Sequence, residues 1–65
     1  MTYHFVITIA VPGGMANYDA TYDPKPGETR QDAYRSIRAF AQQKAGFDGP
    51  VVFFSLEPNS LEVTR

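Results

Sequence analysis

Between Thr2 and Val11 the positions Tyr3, Phe5, Ile7, Ile9 and Val11 are all apolar or aromatic, whereas Thr2, His4, Val6, Thr8 and Ala10 form a mixed set. A repeat of two in β-branched and aromatic residues predicts a strand with one wholly apolar face. Pro12, Gly13 and Gly14 follow, supplying a preset φ and then residues free to take positive φ, so the chain is expected to reverse there. Alternation resumes from Met15 to Asp23, with Ala16, Tyr18, Ala20 and Tyr22 on one side and Asn17, Asp19, Thr21 and Asp23 on the other. This predicts the return strand of a hairpin. Pro24, Pro26 and Gly27 then break the pattern and predict an extended loop.

The period changes after Thr29. Thr29 with Asp32 three residues on is a capping-box spacing, and Ala33, Tyr34, Ile37, Phe40, Ala41 and Ala45 fall on one side of a helix running from about Arg30 to Ala45. Gly46 stops it, and Phe47 is placed to pack back on the last turn. Asp48, Gly49 and Pro50 form a connector to Val51–Leu56, a continuous apolar run whose β-branched and aromatic content favours a strand. Glu57 to Ser60 reads as a turn, after which Leu61 to Thr64 is a candidate short fourth strand.

The order of elements is therefore ββαβ, extended to ββαββ if the last segment pairs. Hairpin strands are neighbours, and a crossover of this length with right-handed sense lays the third strand beside the first. The expectation is one α+β domain over residues 1–65, an antiparallel sheet of order 2-1-3 with one helix on one face.

That layer leaves a surface to account for. Neighbouring strand residues point to opposite faces, so Phe53 and Phe54 diverge in a regular strand. Val52, Phe54 and Leu56 are expected to join Phe5, Ile7, Ile9 and Ile37 in the core. Val51, Phe53 and Ser55 then lie outward beside His4, Val6 and Thr8. An apolar patch on an open sheet face marks an interaction site unless the C-terminal Leu61 and Val63 cover it. Val6, Val51, Phe53 and Ser55 are the candidate contact residues for a homodimer or another protein. The third strand is also an edge, with no proline inside and no charge before Glu57, and such an edge invites pairing.

Length reinforces this expectation. A chain of 65 residues gains only about 3–5 kcal/mol from its core, so self-association is a natural source of further buried area. No cysteine is present, which excludes disulfides and thiolate metal sites. No run approaches the roughly 20 apolar residues of a membrane span, and the first residues lack a signal-peptide pattern. The cytosol, or a phage made there, is the expected compartment.

Candidate chemistry is sparse, and no cofactor or enzymatic activity is expected. His4 is the single histidine, and neither Ser36, Ser55 nor Ser60 sits in a nucleophile elbow. Gly13 and Gly14 join strand to strand rather than opening a helix, so they are turn residues and not a phosphate cradle. Asp19, Asp23 and Glu28 fit no calcium-loop spacing.

The formal net charge is −1, but Arg30, Arg35, Arg38 and Lys44 against Asp32 give the helix a local excess of positive charge. Gln31, Arg35, Arg38 and Gln42 line one flank of the helix. This strip is the basis of an alternative reading, a nucleic-acid-binding accessory protein, which the absence of an RNA-recognition signature and the acidic Asp19 and Asp23 weigh against.

The segment Val52-Phe53-Phe54-Ser55-Leu56-Glu57-Pro58-Asn59, with the helix start from Thr29 to Tyr34, resembles short uncharacterised reading frames of actinobacteria and their phages. The resemblance implies no activity, and no functional residue is carried over from it.

Overall fold

The computed structural model describes residues 1–61. Its elements are β1 (Tyr3–Val11), β2 (Gly14–Tyr22), α1 (Arg30–Ala45) and β3 (Val51–Pro58). The sheet is antiparallel throughout, in the order β2-β1-β3. Pairing of β1 with β2 runs without interruption from Tyr3 opposite Tyr22 to Val11 opposite Gly14. Pro12 and Gly13 form the two-residue reversal, and Gly13 takes the positive φ of 86° that a proline-led tight turn requires.

Helix α1 begins and ends where its polar caps allow. The Thr29 hydroxyl accepts from the Asp32 backbone N–H, and the Asp32 carboxylate accepts from the Thr29 N–H, both at 3.1 Å. Two of the four unpaired donors at the helix start are thereby satisfied. Gly46 closes the other end in the left-handed conformation, its N–H donating to the Gln42 carbonyl at 2.9 Å.

The helix lays its apolar stripe across β1. Phe5, Ile7, Ile9, Ile37 and Ala41 form the buried cluster, with Val11, Ala16, Tyr18, Tyr22, Phe40, Val51, Phe54 and Leu56 packed around it. Phe40 bridges inward, making edge-to-face contacts with Phe5 at 5.8 Å and Tyr18 at 6.1 Å between ring centres. Every face assignment predicted for β1 is met: Phe5, Ile7 and Ile9 are buried, and their alternates are not.

Strand β3 departs from the expected pattern at one point. Thr8 opposes Phe53, but Ile9 opposes Val51, so Val52 is an extra residue without a partner. This β-bulge resets the parity of the strand. Val52, expected in the core, is instead 54% exposed. Val51, expected on the open face, packs against the core cluster. Beyond the bulge the prediction holds, with Phe54 and Leu56 under the helix opposite Ile7 and Phe5. The strand also runs further than the apolar run does. Glu57 and Pro58 pair with His4 and Tyr3, and the Asn59 N–H donates to the Thr2 carbonyl at 2.9 Å. Pro58 is tolerated because it terminates an edge strand. The candidate fourth strand is not formed at Leu61, which is outside any strand and 91% exposed. Its remainder, 62–64, lies outside the described residues.

Candidate interaction surface

The open face of the sheet is built from His4, Val6, Thr8 and Ala10 of β1, with β2 and β3 on either side. Its β2 half is polar and satisfied internally. His4 Nε2 lies 3.0 Å from an Asp19 carboxylate oxygen, the Thr8 hydroxyl donates to the Asn17 side-chain carbonyl, and Thr2 donates to Asp23 at 2.6 Å. The hydrogen-bond partner of His4 is thus an aspartate rather than a serine.

The β3 half is different. Phe53 lies opposite Thr8, and Ser55 lies opposite Val6. The structure therefore brings together three of the four predicted contact residues, Val6, Phe53 and Ser55, and removes Val51 to the core side. Phe53 remains 54% exposed. Two further apolar residues that the sequence did not assign to this surface are exposed: Met15, 66% exposed and paired with Ala10 on the far side of β1, and the bulged Val52, next to Phe53 in the chain. The strand parity of Met15 was available as a signal. The exposure of Val52 was not, because a bulge within a continuous apolar run leaves no mark in the sequence.

On the opposite face, α1 runs antiparallel to β3. The Gln42 amide donates to the Gly49 carbonyl at 3.5 Å, and further back along the helix Tyr34 meets Phe54 edge to face at 4.9 Å. The Arg30 guanidinium sits over the Phe54 ring at 5.2 Å, and that of Arg38 over the Tyr34 ring at 6.0 Å. Arg30, Tyr34, Arg38 and Gln42 thus form one ridge beside the edge strand, because positions four apart share a helix face. Of the strip predicted for nucleic acid, Gln31, Arg35 and Arg38 are exposed, while Gln42 is half-buried and turned to Gly49. Among the described residues the one ion pair is His4 with Asp19, so no carboxylate lies within 4.0 Å of Arg30, Arg35 or Arg38.

The loop between β2 and α1 is held by Glu28, whose carboxylate accepts from the Tyr22 hydroxyl and from the Lys25 N–H, the latter at 2.8 Å. The Tyr22 hydrogen bond, assisted by that of Lys25, lowers the Glu28 pKa from its ordinary 4.5. The same bond, with a contribution from burial, raises that of Tyr22 above 10.0. Bonds from the Thr29 backbone and hydroxyl lower that of Asp32 from 3.8. A lowered carboxylate means that the unfolded chain binds more protons in acid, so the stabilisation is complete above the ordinary values and is lost as pH falls through the lowered ones. A raised tyrosine stabilises below 10.0, and that contribution is lost as pH rises through the raised value. The urea midpoint is therefore expected to be flat from about pH 6 to about pH 9 and to fall on both sides. Glu28→Gln should shrink both limbs. Equal midpoints for the parent at pH 3 and pH 7 would contradict this account.

No group of three His, Asp or Glu side chains is gathered for a metal ion among the described residues, and no helix there is long and apolar enough to cross a membrane. No protein-family model, curated protein or solved structure matches the chain.

Proposed function

We propose that this chain is a small, non-enzymatic interaction module that associates with a second copy of itself through the open face of its sheet. The observation that carries the reading is Phe53, a large aromatic side chain left 54% exposed next to the bulged Val52, opposite Thr8 and diagonal to Val6 on the open face. Fully burying such a ring is worth roughly 1.5–3 kcal/mol, a large gain for a domain whose own core supplies about 3–5 kcal/mol. In a two-fold interface the same ring contributes once from each copy. The polar β2 half suits a rim, since its groups already have partners within the sheet.

Sedimentation equilibrium at two loading concentrations tests this. The parent is expected to rise above its monomer mass of 7.2 kDa toward twice that value, with little response to added salt. Phe53→Asp should hold the chain at the monomer mass with its circular dichroism unchanged. A parent that stays monomeric at both concentrations would count against the reading. The nucleic-acid alternative ranks second, because Gln42 is engaged with Gly49, which leaves Gln31, Arg35 and Arg38 as the outward part of that strip.

A further inference from the structure

The edge of β3 and the arginine ridge beside it form a second surface, distinct from the open face onto which the Phe53 side chain projects. We propose that the stretch of β3 from Phe53 to Glu57 accepts an extended acidic peptide as a fourth strand, two of its carboxylates meeting Arg30 and Arg38 and an apolar residue between them meeting Tyr34.

Three features support this occupant. The first is the edge itself. Among the described residues β3 has β1 on one side and no strand on the other, so its outward backbone donors and acceptors are available for pairing. The bulge at Val52 and the ring of Pro58 bound that stretch at its two ends. The second is charge. Arg30 and Arg38 are exposed and without a carboxylate within 4.0 Å among the described residues, and each guanidinium is held over an aromatic ring that flanks the edge. The third is spacing. Arg30 and Arg38 are eight residues apart on the helix, a rise of about 12 Å. Residues four apart on a strand are separated by about 13 Å and point to the same face. The helix runs antiparallel to β3, so an added strand lies along the ridge and presents alternate side chains to it. With the third position opposite Phe54, whose ring meets Tyr34, the first and fifth positions fall opposite Leu56 and beside the bulged Val52, on the helix side of the sheet and near Arg30 and Arg38. The motif this selects is acidic-x-apolar-x-acidic, and it reads the same in either chain direction.

A second copy supplies the motif poorly. Its own β3 edge carries Glu57 alone, and Asp19 and Asp23 at its β2 edge are already bonded to His4 and Thr2.

The proposal rests on the chain being an interaction module but uses a different surface, which lets the two ideas fail separately. The probe is a fluorescein-labelled peptide, Thr-Glu-Thr-Val-Thr-Glu-Thr, titrated with the full chain and followed by polarisation. Saturable binding is expected, with amide exchange slowed at Phe53 to Glu57. Affinity should fall about tenfold in the Arg30→Gln, Arg38→Gln variant, in keeping with two partly exposed ion pairs. It should fall further with salt and be unchanged in Met15→Ser, a change at an exposed position of β2, across β1 from the edge. Should the double variant lose helical signal, the same peptide with lysine for both glutamates carries the test and is expected not to bind. Equal binding of the two peptides, no saturable binding, loss of binding in Met15→Ser alone, or tighter binding of a labelled single-stranded RNA at the same arginines would each overturn the proposal.

Discussion

Replacing Gly49 by alanine is expected to unfold most of the protein at room temperature. A Cβ added at Gly49 would lie 1.7 Å from the Ala10 carbonyl oxygen and 2.9 Å from its carbon, both backbone atoms of the central strand. Neither can yield without moving β1 itself. The alternative is for the chain to withdraw at Gly49, which breaks the bond from the Ala10 N–H to the Pro50 carbonyl at 3.0 Å and disturbs the pairing of Ile9 with Val51. The loss is expected to reach about 3 kcal/mol or more, the class of effect produced by a steric clash in a packed site. That is comparable to the whole stability of a domain this small. Gly14→Ala is the matched control, since nothing lies within 4 Å of its added Cβ and its φ is not positive. It should change stability by no more than about 0.5 kcal/mol. Urea titrations followed by far-ultraviolet circular dichroism measure both. A Gly49→Ala midpoint equal to that of Gly14→Ala would show that this approach is not a constraint on the fold.

The second large effect is expected at Ile7. This residue has no exposed surface, lies on the central strand between Tyr18 and Phe54, and packs in the cluster with Ile37 and Ala41. Truncation to alanine removes buried apolar surface and leaves a void that a sheet residue bonded on both sides cannot close, at a cost of about 2–5 kcal/mol. Val52→Ala removes apolar carbon from a position seven residues past Ala45, on the bulge, and there the change should stay within about 0.5 kcal/mol. The contrast is informative because regular alternation would have put Val52 in the core. A Val52→Ala cost matching that of Ile7→Ala would restore the unbulged strand.

Much of this architecture is legible in the residues. The hairpin is written in the alternation of Phe5, Ile7 and Ile9 and in the Pro12–Gly13 reversal, both local signals that tertiary contacts reinforce. The helix bounds follow from Thr29, Asp32 and Gly46, whose side-chain and backbone chemistry acts within one turn. Strand order follows from connection lengths. The failures lie at the N-terminal end of β3. Val51-Val52-Phe53-Phe54 is apolar at every position, so it carries no record of which residue faces where. The bulge is visible only in the register against Thr8 and Ile9, close to where Gly49 meets Ala10. The role of Gly49 is hidden for the same reason, since a glycine before a proline reads as an ordinary connector until the strand it touches is in place. The candidate surface divides in the same way. Val6, Phe53 and Ser55 follow from parity, whereas the exposure of Val52 and the stacking of Arg30 and Arg38 on rings depend on how helix and edge strand are juxtaposed.

The position of β1 between its two partners has a kinetic consequence. One partner follows within a tight reversal and can zip up in about 1–10 μs, the usual time for a hairpin. The other arrives only after the helix and two connectors have been made, and joining it closes a long loop whose entropy must be met before any contact repays it. During synthesis, then, the most apolar of these strands waits with one flank bare until β3 has left the ribosome, and the docking of that late arrival is the step expected to limit productive folding.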